Sequence, residues 1–353
     1  MEWGIYLITA QAPILTAEEA IQNSVFFAQE AERLGYSHAW VLEHHFTRYG
    51  LVGSALMHAS FILGKTSRLK VGTAIQVLPL HHPVQVAEQV ALIDQLSQGR
   101  LMLGVGRGTF RKDFEVFGAD MGSSRQMTAE SLDIIKSLWI DGKAEGKGPF
   151  FKFPEIEIYP EVYTKPHPPL YTVAISPESI AWAAGLGIPL ILGFSHNDEE
   201  KAVILEQYGS HAEDAGFDPG EIPHVVSCIA GVSRDGDQIK RASWDHILWW
   251  MDEGYQATQL YAPGATTVPS YEWRQREHEQ RVLKGIRTAV DILPDEMAKN
   301  PIGSPQECID KLCATVEATG ITRFALGFEA AGKREAVMES MELFTSEVIP
   351  HVR

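Results

Sequence analysis

Apolar residues recur along this chain in two alternating rhythms. Short, nearly continuous runs read as strands: Trp3–Ile8, His38–Leu42, Lys70–Ile75, Leu101–Val105, Leu170–Ala174, Pro189–Leu192, His224–Gly231 and Arg323–Phe328. A strand that is apolar on both faces is covered on both, as in a parallel sheet wrapped by helices. Between the runs lie stretches with helical period. Ala20, Ser24, Phe27, Ala31 and Leu34 share one face, and Gly35 is placed to end that helix. Val86, Val90 and Ile93 form a second stripe that stops at Gly99. Eight strands alternating with helices predict a closed (β/α)8 TIM barrel, an α/β fold in a single domain over residues 1–353. An open doubly wound sheet fits less well, because no Gly-x-Gly-x-x-Gly follows the first strand.

Two regions break the rhythm, one after the fourth strand and one after the seventh. Residues 141–169 are rich in Gly, Pro, Lys and aromatics and read as an insertion. Residues 257–304 contain Pro263-Gly264, Pro269, Pro294 and Pro301. Their length suits an active-site lid over the strand ends, and a surface or subunit-contact role fits the composition equally.

Composition narrows the partners. Of 353 residues, 45% are hydrophobic and 22% charged, which supports a large core and argues against disorder. The net charge of −16 excludes nucleic acid as a partner, because such binding rests on basic surface that displaces phosphate counterions. An anionic membrane surface is disfavoured for the same reason. A phosphate ligand must therefore be held by a few local groups. Cys228, Cys308 and Cys313 include no Cys-x-x-Cys pair, so neither a disulfide framework nor a thiolate zinc site is expected, and the expected compartment is the cytoplasm. Met1-Glu2-Trp3-Gly4 does not open a signal peptide, and no apolar run nears the ~18 residues of a membrane span.

Barrel enzymes carry their chemistry at the C-terminal ends of the strands. The second strand ends in Leu42-Glu43-His44-His45-Phe46. Side chains alternate along an extended chain, so the two histidines face opposite ways, one to the mouth and one to the wall. An imidazole near its usual pKa of ~6.5 takes or gives a proton at neutral pH. The fourth strand continues through Gly104-Val105-Gly106-Arg107-Gly108. Its glycines permit close approach, by a ligand or by a neighbouring strand, and Arg107 sets a permanent cation at the mouth. Arg125 is a second candidate. After the fifth strand, Ser176 suits an N-cap and Pro177 a first helical position, which places helix N–H groups at the mouth. Arg107, Arg125 and that helix end suffice for a phosphate monoester despite the overall charge. The third strand leads through Thr73-Ala74-Ile75-Gln76 to His81-His82-Pro83. Small residues there suit a flat ring. No convincing carboxylate partner is evident for the paired histidines, so no metal site is expected. Phe114 and Phe117, and Trp249 and Trp250, are candidates for an apolar pocket, core packing being the plainer use.

These stretches resemble bacterial luciferase and its flavin-dependent monooxygenase relatives. The resemblance is carried by Trp40 to Thr47, Val71-Gly72-Thr73-Ala74, Leu78-Pro79 with His82-Pro83, and Gln98-Gly99-Arg100 through Gly108. It continues in Lys112-Asp113-Phe114, Val116-Phe117-Gly118 with Asp120, and Trp182-Ala183-Ala184 with Gly187 and Pro189. Asn300 to Pro305, Ala318 to Ile321 and Gly327 to Ala330 complete it. It is closer to the luciferase α subunit than to the β, because the His44 position is kept. The resemblance implies a barrel, often dimeric with a second copy or a paralogue, that takes reduced FMN (FMNH2) from a separate flavin reductase. O2 then adds at the flavin C4a carbon as a peroxide that oxygenates a small apolar organic substrate. The resemblance assigns His44 as the catalytic histidine. It assigns Arg107, Arg125, Ser176 and Ser179 as phosphate ligands with Val173 nearby, and it sets Ala74, Ile75 and Gly106 beside the flavin ring. The substrate pocket is expected from Tyr6, Phe46, Phe114, Phe194 and Trp250.

The departures shape the expected output. Gly106 stands where luciferases carry a reactive cysteine, Ile175 an acidic residue, Phe194 an aldehyde-site tryptophan and Tyr6 a phenylalanine. Val290-Asp291 falls where the luciferase lid is basic. A dark oxygenation is therefore expected over light emission from a long-chain aldehyde. Two alternatives remain: an F420-dependent hydride-transfer enzyme of the same superfamily, and a non-catalytic flavin-binding subunit, against which His44 argues.

Overall fold

The computed structural model describes residues 1–258, 268, 270–283 and 288–353. All eight apolar runs form strands: β1 (Glu2–Leu7), β2 (His38–Val41), β3 (Lys70–Thr73), β4 (Leu101–Gly106), β5 (Leu170–Thr172), β6 (Ile191–Leu192), β7 (Val225–Ile229) and β8 (Arg323–Gly327). They pair in parallel, β1 to β5 in order on one side of β1 and β8, β7 and β6 on the other. A parallel bridge between Thr172 and Leu190 joins β5 to β6 and completes the ring. The expected (β/α)8 barrel is thus the fold. Its interior is packed by Trp40, Met102, Tyr171, Ile191, Val225 and Ala325, with Trp40 edge-on to Tyr171 at 4.9 Å. No helix among the described residues is long and apolar enough to cross a membrane.

The third strand ends earlier than its apolar run. Its ladder stops at Thr73, passes a cis peptide between Ala74 and Ile75, and resumes as Gln76–Val77 against Val105 and Gly106 of β4.

The helices are α1 (Ala17–Leu34), α2 (Ala55–Lys65), α3 (Pro83–Ser97), α4 (Arg111–Phe117), α5 (Ser124–Ile140), α6 (Pro177–Gly185), α7 (Asp198–Asp214), α8 (Gly236–Thr258), α9 (Glu272–Leu283), α10 (Ala289–Lys299), α11 (Pro305–Thr319) and α12 (Arg334–Leu343). A capping box of Thr16 and Glu19 opens α1, and Gly35 ends it at φ 92°. The stripe of Val86, Val90 and Ile93 on α3 is buried. Asp198 ties α7 to α11: its carboxylate takes Lys201 Nζ (3.2 Å), Lys311 Nζ (2.6 Å) and Thr315 Oγ1 (3.0 Å).

Residues 141–169 hold an antiparallel hairpin, Lys143–Lys147 with Lys152–Glu157. It lies on the outer wall, where Glu130 of α5 accepts from the Phe150 and Phe151 amides and Asp94 of α3 accepts from Thr164. Of residues 257–304, Pro263-Gly264 and Pro269 lie outside the described residues. Asp291, one of the two departures from a basic lid, closes a capping box with Thr288 at the start of α10.

Candidate active site

A cavity of about 310 Å³ opens at the C-terminal mouth, walled by Tyr6 of β1 and by the segments that follow β2 to β6. His44 stands on its wall. The backbone there is held by the His44 amide donating to the Val52 carbonyl (2.9 Å). The ring lies over Phe110 at 5.2 Å with planes 20° apart, and Tyr49 meets it edge-on at 4.7 Å. Its Nδ1 is buried with no hydrogen-bond partner. The half-buried ring is poorly solvated between its aromatic neighbours, and this desolvation pulls its pKa down to about 4, against the opposing charge of Glu43. Neutral at pH 7, it is equipped to accept a proton.

His45 turns the other way, as alternation requires, and its Nε2 lies 3.3 Å from Glu43 Oε1. The same oxygen takes His81 Nε2 at 2.7 Å, and the Val77 amide donates to the second oxygen at 3.4 Å. Burial pushes Glu43 up, but hydrogen bonds from both histidines outweigh it and hold the carboxyl below its ordinary range. Burial likewise disfavours the charged His45, yet Glu43 outweighs it and raises the His45 pKa. Sequence reasoning found no convincing carboxylate partner for His81; Glu43 supplies one from a different strand end. Among the described residues no three histidines, cysteines or carboxylates fit a metal ion. Asp113 also lines the cavity, buried, with Oδ1 unpartnered. Burial raises it to about 6, His45 opposing and Glu43 adding.

One corner of the cavity is built for an anion. Ser176 is the N-cap of α6 and Pro177 its first residue. Ser176 Oγ accepts from the Ser179 amide (3.3 Å), and Ser179 Oγ donates to the Ser176 carbonyl (2.8 Å). Arg125 Nη2 donates to Ser176 Oγ (3.4 Å) and reaches Glu178 Oε2 (3.5 Å), while its Nε is buried with no acceptor. Arg107 lines the same cavity. Its Nη1 donates to the Ser270 carbonyl (2.8 Å) and Oγ (3.0 Å), and its guanidinium lies 4.0 Å over the Tyr271 ring. Tyr271 in turn donates to the Gly108 carbonyl (2.6 Å). The segment expected as a lid thus touches the mouth through Ser270 and Tyr271. Two guanidiniums, two hydroxyls and a helix N-terminus fit a dianionic phosphate monoester, and the Arg125 Nε is a buried donor with no acceptor in the protein. Val173, 39% exposed, lines the cavity beside them.

Ala74 and Ile75 form part of the wall. A Cβ at Gly106 would stand 2.1 Å from Ile75 Cδ1, so the room left by that glycine is taken by the neighbouring chain.

A second cavity, about 470 Å³, shares His44, Tyr49, Thr109, Phe110 and Phe194 with the first. Of the expected substrate-pocket residues, Tyr6 lines the first cavity, Trp250 the second and Phe194 both. Phe46 and Phe114 line neither. Phe46 has φ 56°, which breaks the alternation that would return it to the His44 side; it is 52% exposed and packs on Phe117. Phe114 of α4 is buried with Met121, Val268 and Tyr271. Tyr49, Phe110, Glu43 and Asp113 are wall residues that the pattern did not single out. Their one sequence signal is nearness to His44 or Arg107.

Such a molecule is a (β/α)8 barrel whose mouth sets a corner suited to an anion beside an apolar chamber. The family model for luciferase-like monooxygenases matches residues 1–323. The alkanal monooxygenase alpha chain of the Kryptophanaron alfredi symbiont is 37% identical over 353 residues, covering 100% of this chain and 99% of that one. Among solved structures, the monooxygenase RslO1 from Streptomyces bottropensis superposes with TM-score 0.84 at 23% identity, covering 100% of both chains. The oxygenating constituent of 3,6-diketocamphane monooxygenase from Pseudomonas putida, in complex with FMN, gives 0.80 at 19% identity, covering 100% and 99%. An F420-dependent secondary alcohol dehydrogenase gives 0.75 at 20%, with the same coverage. This chain belongs to the family of luciferase-like, flavin-dependent monooxygenases.

Proposed function

We propose that the chain is the oxygenase of a two-component monooxygenase and works with reduced FMN supplied by a separate flavin reductase. The observation that carries this is the anion corner in the same cavity as His44, lined by Arg125, whose buried Nε has no acceptor in the protein. Arg107, Arg125, Ser176 and Ser179 would hold the phosphate, and Ala74 and Ile75 would lie against the ring. When bound, reduced FMN supplies the electrons that activate O2, so that one oxygen atom enters a small apolar substrate and the other leaves as water. His44 accepts a proton at the reacting edge. Tyr49, Phe110 and Phe194 keep water out of the joint between the two cavities. With Gly106, Ile175 and Phe194 where luciferases differ, the output is a dark oxygenation.

A second copy of this chain is the proposed partner. Met57 (74% exposed) and Phe61 (55%) stand one turn apart on α2, as do Leu92 (50%) and Leu96 (71%) on neighbouring α3. Together they form an apolar face that a matching face would cover.

The test is anaerobic titration of the purified protein with reduced FMN, reduced riboflavin and reduced F420, followed by admission of O2 with an apolar substrate. Reduced FMN should bind at least tenfold more tightly than either of the others, with oxygenated product on aeration. Preference for F420 would make the chain a hydride-transfer enzyme, and turnover only after addition of a paralogous chain would make it an accessory subunit.

A further inference from the structure

Three strands set a hydroxyl on the wall of the first cavity: Tyr6 of β1, Thr172 of β5 and Ser227 of β7. Two of these protons are already given. Thr172 Oγ1 donates to the Val105 carbonyl (2.8 Å) and Ser227 Oγ to the Leu192 carbonyl (2.9 Å). The Tyr6 hydroxyl has no hydrogen-bond partner among the described residues and remains reachable from the cavity. The Tyr6 ring packs on one side against the barrel plug of Trp40 and Ala74. On the other it meets the apolar cluster of Ile229, Ile247 and Trp250, which walls the second cavity. Burial, with the charge of Glu329 adding to it, holds the phenol well above its usual pKa. It therefore stays an O–H donor at any working pH. Glu329 itself is held by the Ile8 and Thr9 amides (2.8 and 2.9 Å) and does not bond the phenol.

We propose that Tyr6 is a specificity residue: its hydroxyl donates to a carbonyl oxygen of the substrate, so the chain takes a small apolar carbonyl compound in preference to the matching hydrocarbon. This rests on the monooxygenase reading and names its substrate class. Position separates Tyr6 from the phosphate. In a ring of eight strands β1 lies four strands from β5 in either direction, so Tyr6 stands across the mouth from the Ser176 corner and against the wall of the second cavity. Chemistry then sets the partner. A hydrocarbon would strip water from the phenol and return no hydrogen bond, whereas a carbonyl returns one. A site with such a donor discriminates by the loss of that bond. Luciferases carry a phenylalanine here by the resemblance, so the donor is a property of this chain.

Anaerobic equilibrium dialysis of the full-length protein against 2-acetylnaphthalene and 2-ethylnaphthalene tests the proposal, since the two differ by a carbonyl in place of a methylene. It is run flavin-free and with saturating reduced FMN. Tyr6→Phe should weaken the ketone about three- to tenfold, the size of one hydrogen bond, and leave the hydrocarbon within about twofold. The isotope-edited carbonyl stretch of the bound ketone should lie at lower frequency in the parent than in Tyr6→Phe. Thermal unfolding of the two proteins should coincide, because the hydroxyl bonds nothing in the fold. Equal effects on ketone and hydrocarbon, an unmoved carbonyl stretch, no ketone binding, or a variant that melts well below the parent overturns the proposal. So does a tenfold loss of reduced FMN in Tyr6→Phe with the ketone unaffected, which would give the donor to the flavin. Failure of reduced FMN to bind the parent, with the ketone effect kept, would sink the monooxygenase reading and not the role of Tyr6.

Discussion

His44 is uncharged at neutral pH because its half-buried ring is poorly solvated and its Nδ1 meets no acceptor. Its role is tied to that neutrality. In His44→Ala, reduced-FMN affinity should stay within about threefold of the parent, while product yield falls by ~10²-fold or more, the usual size of a lost general base. An unchanged yield would remove His44 from the chemistry. His38, His44, His58, His224 and His246 are all lowered to about 4 by burial. Between pH 6.5 and 4 the unfolded chain binds protons that the folded chain refuses, so stability is full above ~6.5 and falls as pH drops toward 4. Urea midpoints measured from pH 7.5 to 4.5 should show that decline, and His44→Phe should make it shallower.

At the level of elements, the start of α6 does two jobs. Ser176 caps the helix and borders the anion corner. Ser176→Ala should cost ~1 kcal/mol of stability, as N-cap removals do. Arg125→Ala tests the corner with less effect on folding. Hydrogen bonds to charged groups contribute ~1.5–3 kcal/mol, so reduced FMN should bind about ten- to a hundredfold more weakly while reduced riboflavin, which lacks the phosphate, is unaffected. Equal loss for both flavins would show that Arg125 does not touch the phosphate. The Asp198 cluster joins two outer helices in the same spirit. Asp198→Ala leaves Lys201, which is 1% exposed, without its carboxylate, and such a break typically costs ~3–5 kcal/mol. Thermal unfolding should move down by several degrees or more, and a variant as stable as the parent would show the cluster to be incidental.

For the whole molecule, the exposed stripe on α2 and α3 sets the association prediction. Met57→Glu with Leu96→Glu should convert a dimer to a monomer in analytical ultracentrifugation and leave the fold intact by circular dichroism. A parent protein that sediments as a monomer would send the search for a partner to a paralogous chain. The −16 charge acts at this scale too. It favours solubility and sets the bulk field against an anionic ligand, so reduced-FMN binding depends on the few cationic groups at one corner.

Much of this protein was determined by short-range features of its sequence. Continuous apolar runs, a 3.6-residue stripe, Gly35 past α1 and Ser176-Pro177 before α6 act within a few residues. They therefore led to eight parallel strands, the helix ends and the opposite facing of His44 and His45. Which aromatic side chains reach the cavity was decided only in the folded chain. Phe46 follows His44 by two positions yet points outward, because one backbone angle of 56° ends the alternation. Phe114 packs under Val268 and Tyr271, far along the chain, and leaves the second cavity to Tyr49, Phe110, Phe194 and Trp250. The carboxylate under His81 comes from Glu43, and Arg107 meets Ser270. Those pairings exist because barrel closure brings distant strand ends to one mouth, a geometry that no local pattern encodes.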